Sequence, residues 1–140
     1  MDREMIEQKL ESLRRSIHRI QSRCPDQLEA LQTSVDAQDI VTLNLTRAVQ
    51  LAVDIGSHVL SRLEQPVPAT MGDTFSQLAA QGLISPELSD RLKRAVGFRN
   101  IAVHNYEAID WGIVFIIVRD RLSDFTEYAR AVVDWLGKAE

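Results

Sequence analysis

The sequence predicts an all-α protein, a four-helix up-down bundle with short additional helices, and three observations lead to this prediction. Apolar residues recur at spacings of three and four in every long segment. Prolines and glycines fall between those segments, where they end helices. A β-branched run at residues 111–118 has no second strand-like segment to pair with, so we assign it to a helix. We expect a single domain over residues 1–140, because this length matches one ordinary domain.

Composition excludes several classes of protein. The formal net charge is −4 and 45% of the residues are hydrophobic, which is typical of neither disordered chains nor membrane proteins. The longest apolar run, Ile113–Val118, is far too short to span a bilayer. The single cysteine, Cys24, excludes an internal disulfide and fits a reducing compartment. We expect a cytoplasmic protein without a membrane segment.

The first half of the chain predicts three helices. An amphipathic helix ends near Cys24–Pro25, a short one follows at Asp26–Ser34, and a long one runs over Asp36–Glu64 until two prolines stop it. The apolar positions of the first helix are Ile6, Leu10, Leu13, Ile17 and Ile20. Those of the long helix are Val41, Leu45, Ala48, Ala52, Ile55, Val59 and Leu63.

The second half predicts three more. Asp73 is expected to cap a short helix through Gln81, which Gly82 closes. Ser85, followed by a proline at the first helical position, opens a helix to about His104. The last helix is expected over Asp110–Leu136.

The start of that last helix is apolar on all sides, at Trp111 and Ile113–Ile117. A helix of this kind has to be covered on more than one face. The cover comes either from the short helix at residues 73–81 or from a second subunit, and the pattern does not decide between them.

Basic residues are unevenly distributed despite the acidic total. Thirteen of the sixteen are arginine, and Arg91–Tyr106 carries four basic residues and no acidic one. A second group, on the first helix, consists of Arg14, Arg15, Arg19 and Arg23. These are either solvated helix faces or phosphate contacts, for which arginine is well suited.

Arg99 lies in the apolar stripe of its helix, which also holds Leu88, Leu92 and Ala95. A cation there needs a partner, either Asp54 in a structural ion pair or a bound phosphate. His104, five residues on, lies about 140° further around the helix. The two side chains converge only if the helix ends near Asn105 or if two subunits contribute to one site. Tyr106 is a third candidate for the same pocket.

A polar stripe on the long helix, opposite its apolar stripe, offers further candidates. It consists of Arg47, Gln50, Asp54, His58 and Ser61. The stripe is either the solvent face or the opposite wall of the same cleft, with Asp54 hydrogen-bonded to His58 one turn away. No metal-ligand motif is present, and we expect neither a metal nor a cofactor.

The segment RNIAVHNY, Arg99–Tyr106, resembles the R-x-x-x-x-H-x-Y signature of HepT toxins in the HEPN superfamily of small α-helical ribonucleases. Asn100 fills the polar position that often follows the arginine. The segments LAVDIGSHVL and GLISPELSDRLKRAVGFRNIAVHNY extend the similarity over most of the chain.

The resemblance implies a type VII-like toxin, a metal-independent endoribonuclease that cleaves tRNA or mRNA. His104 would be the general acid/base and Arg99 the phosphate-binding residue, in a cleft shared by a homodimer. An MntA-type nucleotidyltransferase antitoxin would silence it by transferring AMP to Tyr106. The alternatives are a non-catalytic HEPN module, which binds nucleotide or serves as a scaffold for a nucleotidyltransferase, and a purely structural helical dimer.

Overall fold

The computed structural model describes residues 2–138, and this part of the chain contains helices and no β-strand, which confirms the all-α prediction. The α-helices are α1 (Asp2–Arg23), α2 (Leu28–Thr33), α3 (Val35–Arg62), α4 (Met71–Ala80), α5 (Pro86–His104), α6 (Trp111–Ile116) and α7 (Leu122–Lys138). A 3₁₀ turn at Tyr106–Ala108 precedes α6, and a π-helical turn at Ile117–Arg121 joins α6 to α7.

The long helices form a four-helix bundle. Helix α1 packs along α3, and α7 contacts α1, α3 and α5. Helix α4 packs against α3 and α5. The buried apolar side chains of all these helices form one continuous core.

Local signals in the sequence explain where the helices begin. The Ser34 and Ser85 hydroxyls accept hydrogen bonds from backbone amides in the first turns of α3 and α5. The expected cap at Asp73 is wrong by one turn: Thr70 is the N-cap and accepts from the Asp73 amide, while the Asp73 carboxylate accepts from the Ala69 amide. The two side chains thus satisfy two backbone amides at the start of α4, one inside the first turn and one just before the cap, and this pattern appears only when residues 70 and 73 are considered together.

Three helices approach one another closely at Gly56 of α3. A Cβ atom at this position would lie 2.5 Å from Thr74 Cγ2 and 2.9 Å from Tyr128 Oη. The Tyr128 hydroxyl, fully buried, donates to the Ala52 carbonyl at 2.7 Å. Gly56 therefore lets α4 and α7 pack directly against the α3 backbone.

The run at residues 111–118 is helical, as predicted, but the last helix is not regular. The π turn inserts one residue, so that Val114 and Leu122, eight positions apart, are both buried. On an uninterrupted α-helix the two would diverge by about 80°. The spacing of apolar residues did not predict this turn.

Helix α6 packs against α2. Helix α4, one of the two expected sources of cover, makes no comparable contact with it. Ile113 and Ile116 remain 55% and 56% exposed. Together with Ile101 of α5 they line an apolar groove of about 640 Å³ between α5 and α6. The groove is an uncovered apolar surface beside the last turns of α5.

Candidate functional site

The candidate site is built around the C-terminal end of α5. Asn105 leaves the helical conformation, with φ −152° and ψ 67°, so the helix ends at His104 as the sequence suggested. The chain then makes its 3₁₀ turn, and the Asp110 side chain caps α6 by accepting from the Gly112 and Ile113 amides. The sharp end holds Tyr106 close to His104 at the surface of the molecule.

Arg99 is half-buried on α5. Its Nε atom is buried and has no hydrogen-bond partner among the residues that the structure describes. Its Nη1 atom donates to Asn100 Oδ1 at 3.2 Å. A buried, unsatisfied donor on a cation is costly unless a ligand completes it, and an anion is the ligand it favours.

The ion pair between Arg99 and Asp54, one of the two alternatives, is not formed. Asp54 instead lies 3.6 Å from Lys9 Nζ and accepts a hydrogen bond from Gln50 at 3.0 Å. The carboxylate is therefore directed towards α1, and Arg99 is not neutralised by it.

His104, the last residue of α5, is exposed. Because α5 remains helical up to this residue, the Arg99 and His104 side chains leave the backbone about 140° apart. The helix end thus exposes His104 without bringing it onto the face of Arg99 within one chain. The helix does end here, which was the first of the two conditions stated for convergence, and a contribution from two subunits stays a prediction.

Tyr106 contacts α3 and α6. Its hydroxyl donates to Asp39 Oδ1 at 2.8 Å, and its ring packs edge-on against Trp111 at a centroid distance of 6.0 Å. Partial burial raises the pKa of the phenol, and the hydrogen bond to the Asp39 carboxylate raises it further. Asp39 could not be identified from the sequence, because no local pattern relates residues 67 positions apart.

The residues predicted on the polar stripe of α3 are spread along the helix. By helical rise, Arg47 lies about 12 Å and Asp54 about 22 Å beyond Asp39. Asp54 and His58 are thus near the opposite end of α3 from Tyr106, and we do not include them in the candidate site. Asp54 accepts its hydrogen bond from Gln50, one turn earlier on α3, and not from His58, which was the partner considered from the sequence.

Arg47 belongs to a different surface. It lines a groove of about 570 Å³ between α1 and α3, together with Arg15 and Arg19. Asn44 and Gln50 add amide groups to the same groove. Among the other basic residues, Arg91 pairs with Asp124 at 2.8 Å and Glu127 at 3.5 Å, which gives it a structural role.

Two further properties concern the described part of the chain. Within residues 2–138 no group of three or more His, Cys, Asp or Glu side chains is placed to hold a metal ion. None of the helices there is both long and apolar enough to cross a membrane.

An all-α bundle with a half-buried arginine, and an exposed histidine five residues later at a helix end, fits the class of HEPN-type ribonucleases. The chain belongs to the HepT-like ribonuclease family, whose model matches residues 13–132. It is 37% identical over 125 residues to the mRNA nuclease HepT of Shewanella oneidensis, covering 89% of this chain and 93% of that protein. It is 29% identical to the tRNA nuclease HepT of Aphanizomenon flos-aquae over 94% of this chain and 90% of that one.

A solved structure agrees with these relatives. The tri-AMPylated HEPN toxin of Shewanella oneidensis, in complex with its MNT antitoxin, superposes with a TM-score of 0.87. It is 36% identical, and the match covers 96% of this chain and 97% of that one. These matches place the chain among the ribonuclease toxins of toxin–antitoxin pairs.

Proposed function

We propose that this chain is a metal-independent endoribonuclease toxin acting on cytoplasmic RNA, with Arg99 and His104 as its active-site pair. The observation that supports this most directly is the buried Arg99 Nε, which no group in the described part of the chain satisfies. A phosphodiester oxygen is an anionic acceptor of the kind this donor lacks, and it reaches the buried Nε atom once the arginine side chain turns outward.

The chemistry needs two histidines, an arginine and the RNA itself. The 2′-hydroxyl next to the scissile phosphate is the nucleophile, and its proton passes to a histidine as the new bond to phosphorus forms. The 5′ oxygen leaves with a proton from a second histidine, while Arg99 balances the charge that builds on the phosphoryl oxygens. The products are a 2′,3′-cyclic phosphate and a free 5′-hydroxyl.

A homodimer supplies the second histidine. The two site residues diverge within one chain, so a shared cleft can combine Arg99 of one protomer with His104 of its partner. The apolar groove next to this region offers the surface for the second copy, because exposed Ile101, Ile113 and Ile116 line it.

The charge distribution is compatible with RNA as the substrate. The net charge of −4 repels polyanions at long range. Arg15, Arg19 and Arg47 nevertheless come together in the groove between α1 and α3. We propose that this groove contacts backbone phosphates of RNA away from the cleavage point, a role that amide and guanidinium donors suit.

The partner we propose is an MntA-type nucleotidyltransferase antitoxin that AMPylates Tyr106. The relative of known structure is AMPylated and bound to such an antitoxin. Tyr106 is 38% exposed and lies two residues beyond His104. In the proposed shared cleft, an AMP group there adds negative charge close to an arginine that has to bind RNA phosphate, and so competes with the substrate.

The test is cleavage of total RNA by the purified protein and three variants. We expect His104→Ala and Arg99→Ala to lower the initial rate by about 10²–10⁴-fold, while His18→Ala, an exposed histidine on α1, cleaves at the wild-type rate. EDTA should leave the rate unchanged, because histidines supply the acid and base. Inhibition by EDTA, or full activity of His104→Ala, would contradict the mechanism. A wild type that binds nucleotide without cutting any RNA would instead indicate the non-catalytic module.

A further inference from the structure

The hydrogen bond between Tyr106 and Asp39 orients a hydroxyl group that could react at the protein surface. It joins two exposed residues from separate elements, the turn after α5 and the first turns of α3. Trp111 supports the other side of the phenol ring. The hydroxyl is therefore held in one orientation while it remains accessible to another protein.

The electrostatic surroundings make the phenol a poor nucleophile unless its proton is removed during attack. The charged groups that act on it are Asp39 from α3 and Glu107 from its own turn, and both are acidic. Trp111, which packs against it from α6, is uncharged. Burial and these carboxylates raise the pKa of Tyr106, so the tyrosinate is scarce at neutral pH.

We propose that Asp39 is the proton acceptor for nucleotidyl transfer to Tyr106, an inference that rests on the proposed modification of this tyrosine. In the step, Tyr106 Oη attacks the α-phosphorus of a nucleoside triphosphate carried by the transferase. The bond from that phosphorus to the pyrophosphate oxygen breaks, and pyrophosphate leaves with the electron pair. The phenolic proton passes to Asp39 Oδ1, which already accepts the hydrogen bond at 2.8 Å.

Asp39 also affects the product. A modified Tyr106 has no hydroxyl proton to donate, and its new phosphodiester is negative like the carboxylate. Repulsion between the two anions turns the modified side chain away from α3. The toxin thus contributes one catalytic group to its own inactivation.

The experiment measures the rate at which AMP is added, by intact mass, with ATP and saturating amounts of an MNT antitoxin that modifies this chain. Asp39→Asn keeps the size of the side chain but cannot accept the proton. We expect its rate at pH 7 to be lower by about 10²-fold. The rate of this variant should rise about tenfold per pH unit towards the phenol pKa, since hydroxide then generates the tyrosinate. Asp39→Glu should recover part of the loss.

Asp36→Asn is the matched control, because it removes an exposed carboxylate one turn earlier on the same helix. We expect it to react at the wild-type rate. Equal rates for Asp39→Asn and wild type, or a deficit that is the same at every pH, would overturn the role of Asp39 and leave the modification of Tyr106 standing. Equal mass gain on Tyr106→Phe would show that AMP enters elsewhere and would overturn both.

Discussion

Gly56 is the residue at which packing tolerates no side chain. An alanine Cβ would clash with Thr74 Cγ2 and approach Tyr128 Oη and Leu78 Cδ1. Removing this clash requires α4 or α7 to shift. Such a shift weakens the hydrogen bond from Tyr128 to the α3 backbone. We expect Gly56→Ala to lower the free energy of unfolding by about 1–3 kcal/mol, measured by urea denaturation.

Gly137→Ala is the control for that measurement, because a Cβ at Gly137 of α7 meets nothing within 4 Å. It should leave stability unchanged or raise it by up to about 1 kcal/mol, since alanine favours the helix over glycine. An equally stable Gly56→Ala protein would show that the three helices can separate without cost.

Arg99 should show a conflict between stability and activity. Arg99→Met keeps an unbranched side chain as far as the position of Nε and removes the buried Nε donor that lacks a partner. We expect the free energy of unfolding to rise by about 1 kcal/mol while RNA cleavage falls to the level of Arg99→Ala. Chemical denaturation and initial rates check the two effects separately. A marked loss of stability would indicate that Arg99 is structural.

At the scale of the helix, local sequence predicted most of the structure. The limits of α5 follow from Ser85, its neighbouring proline and Asn105, because capping and turn formation depend on adjacent residues. The π turn could not be predicted in this way. The residues from 111 to 118 are apolar on several faces, so inserting one residue leaves a pattern that still reads as a helix.

The π turn makes deletion of one residue tolerable at one place in the last helix. In a variant without Asp120, the side chains of Val114 and Leu122 are seven positions apart instead of eight. On an α-helix, two side chains at this spacing point in directions that differ by only about 20°. We expect this variant to fold and to melt cooperatively by circular dichroism. Removing exposed Thr126 of α7 instead rotates Tyr128 and the residues after it by about 100° away from the core, and this protein should not fold. Equal outcomes for both deletions would contradict the account of the turn.

At the scale of the whole molecule, the sequence indicated residues of the candidate site but not how distant segments are arranged around them. Arg99, His104 and Tyr106 stand out because they lie in one short segment. The contact with Asp39 depends on how α3 packs beside the end of α5, and Arg47 joins Arg15 and Arg19 only after α1 and α3 pair. Such contacts between distant segments are set by tertiary packing, which periodicity does not specify.

The proposed dimer gives the sharpest prediction at this scale. Ile116→Asp places a charge in the apolar groove between α5 and α6, where a second copy would bury it without a partner. We expect wild type to be a dimer at micromolar concentration by light scattering, and Ile116→Asp to be a folded monomer that no longer cleaves RNA. Val133→Asp is the control, because Val133 of α7 is 54% exposed, much like Ile116, and is not among the residues that line the groove. It should remain dimeric and active. A wild type that is monomeric and fully active would show that one chain brings Arg99 and His104 together, and a monomeric Ile116→Asp that retains full activity would show the same.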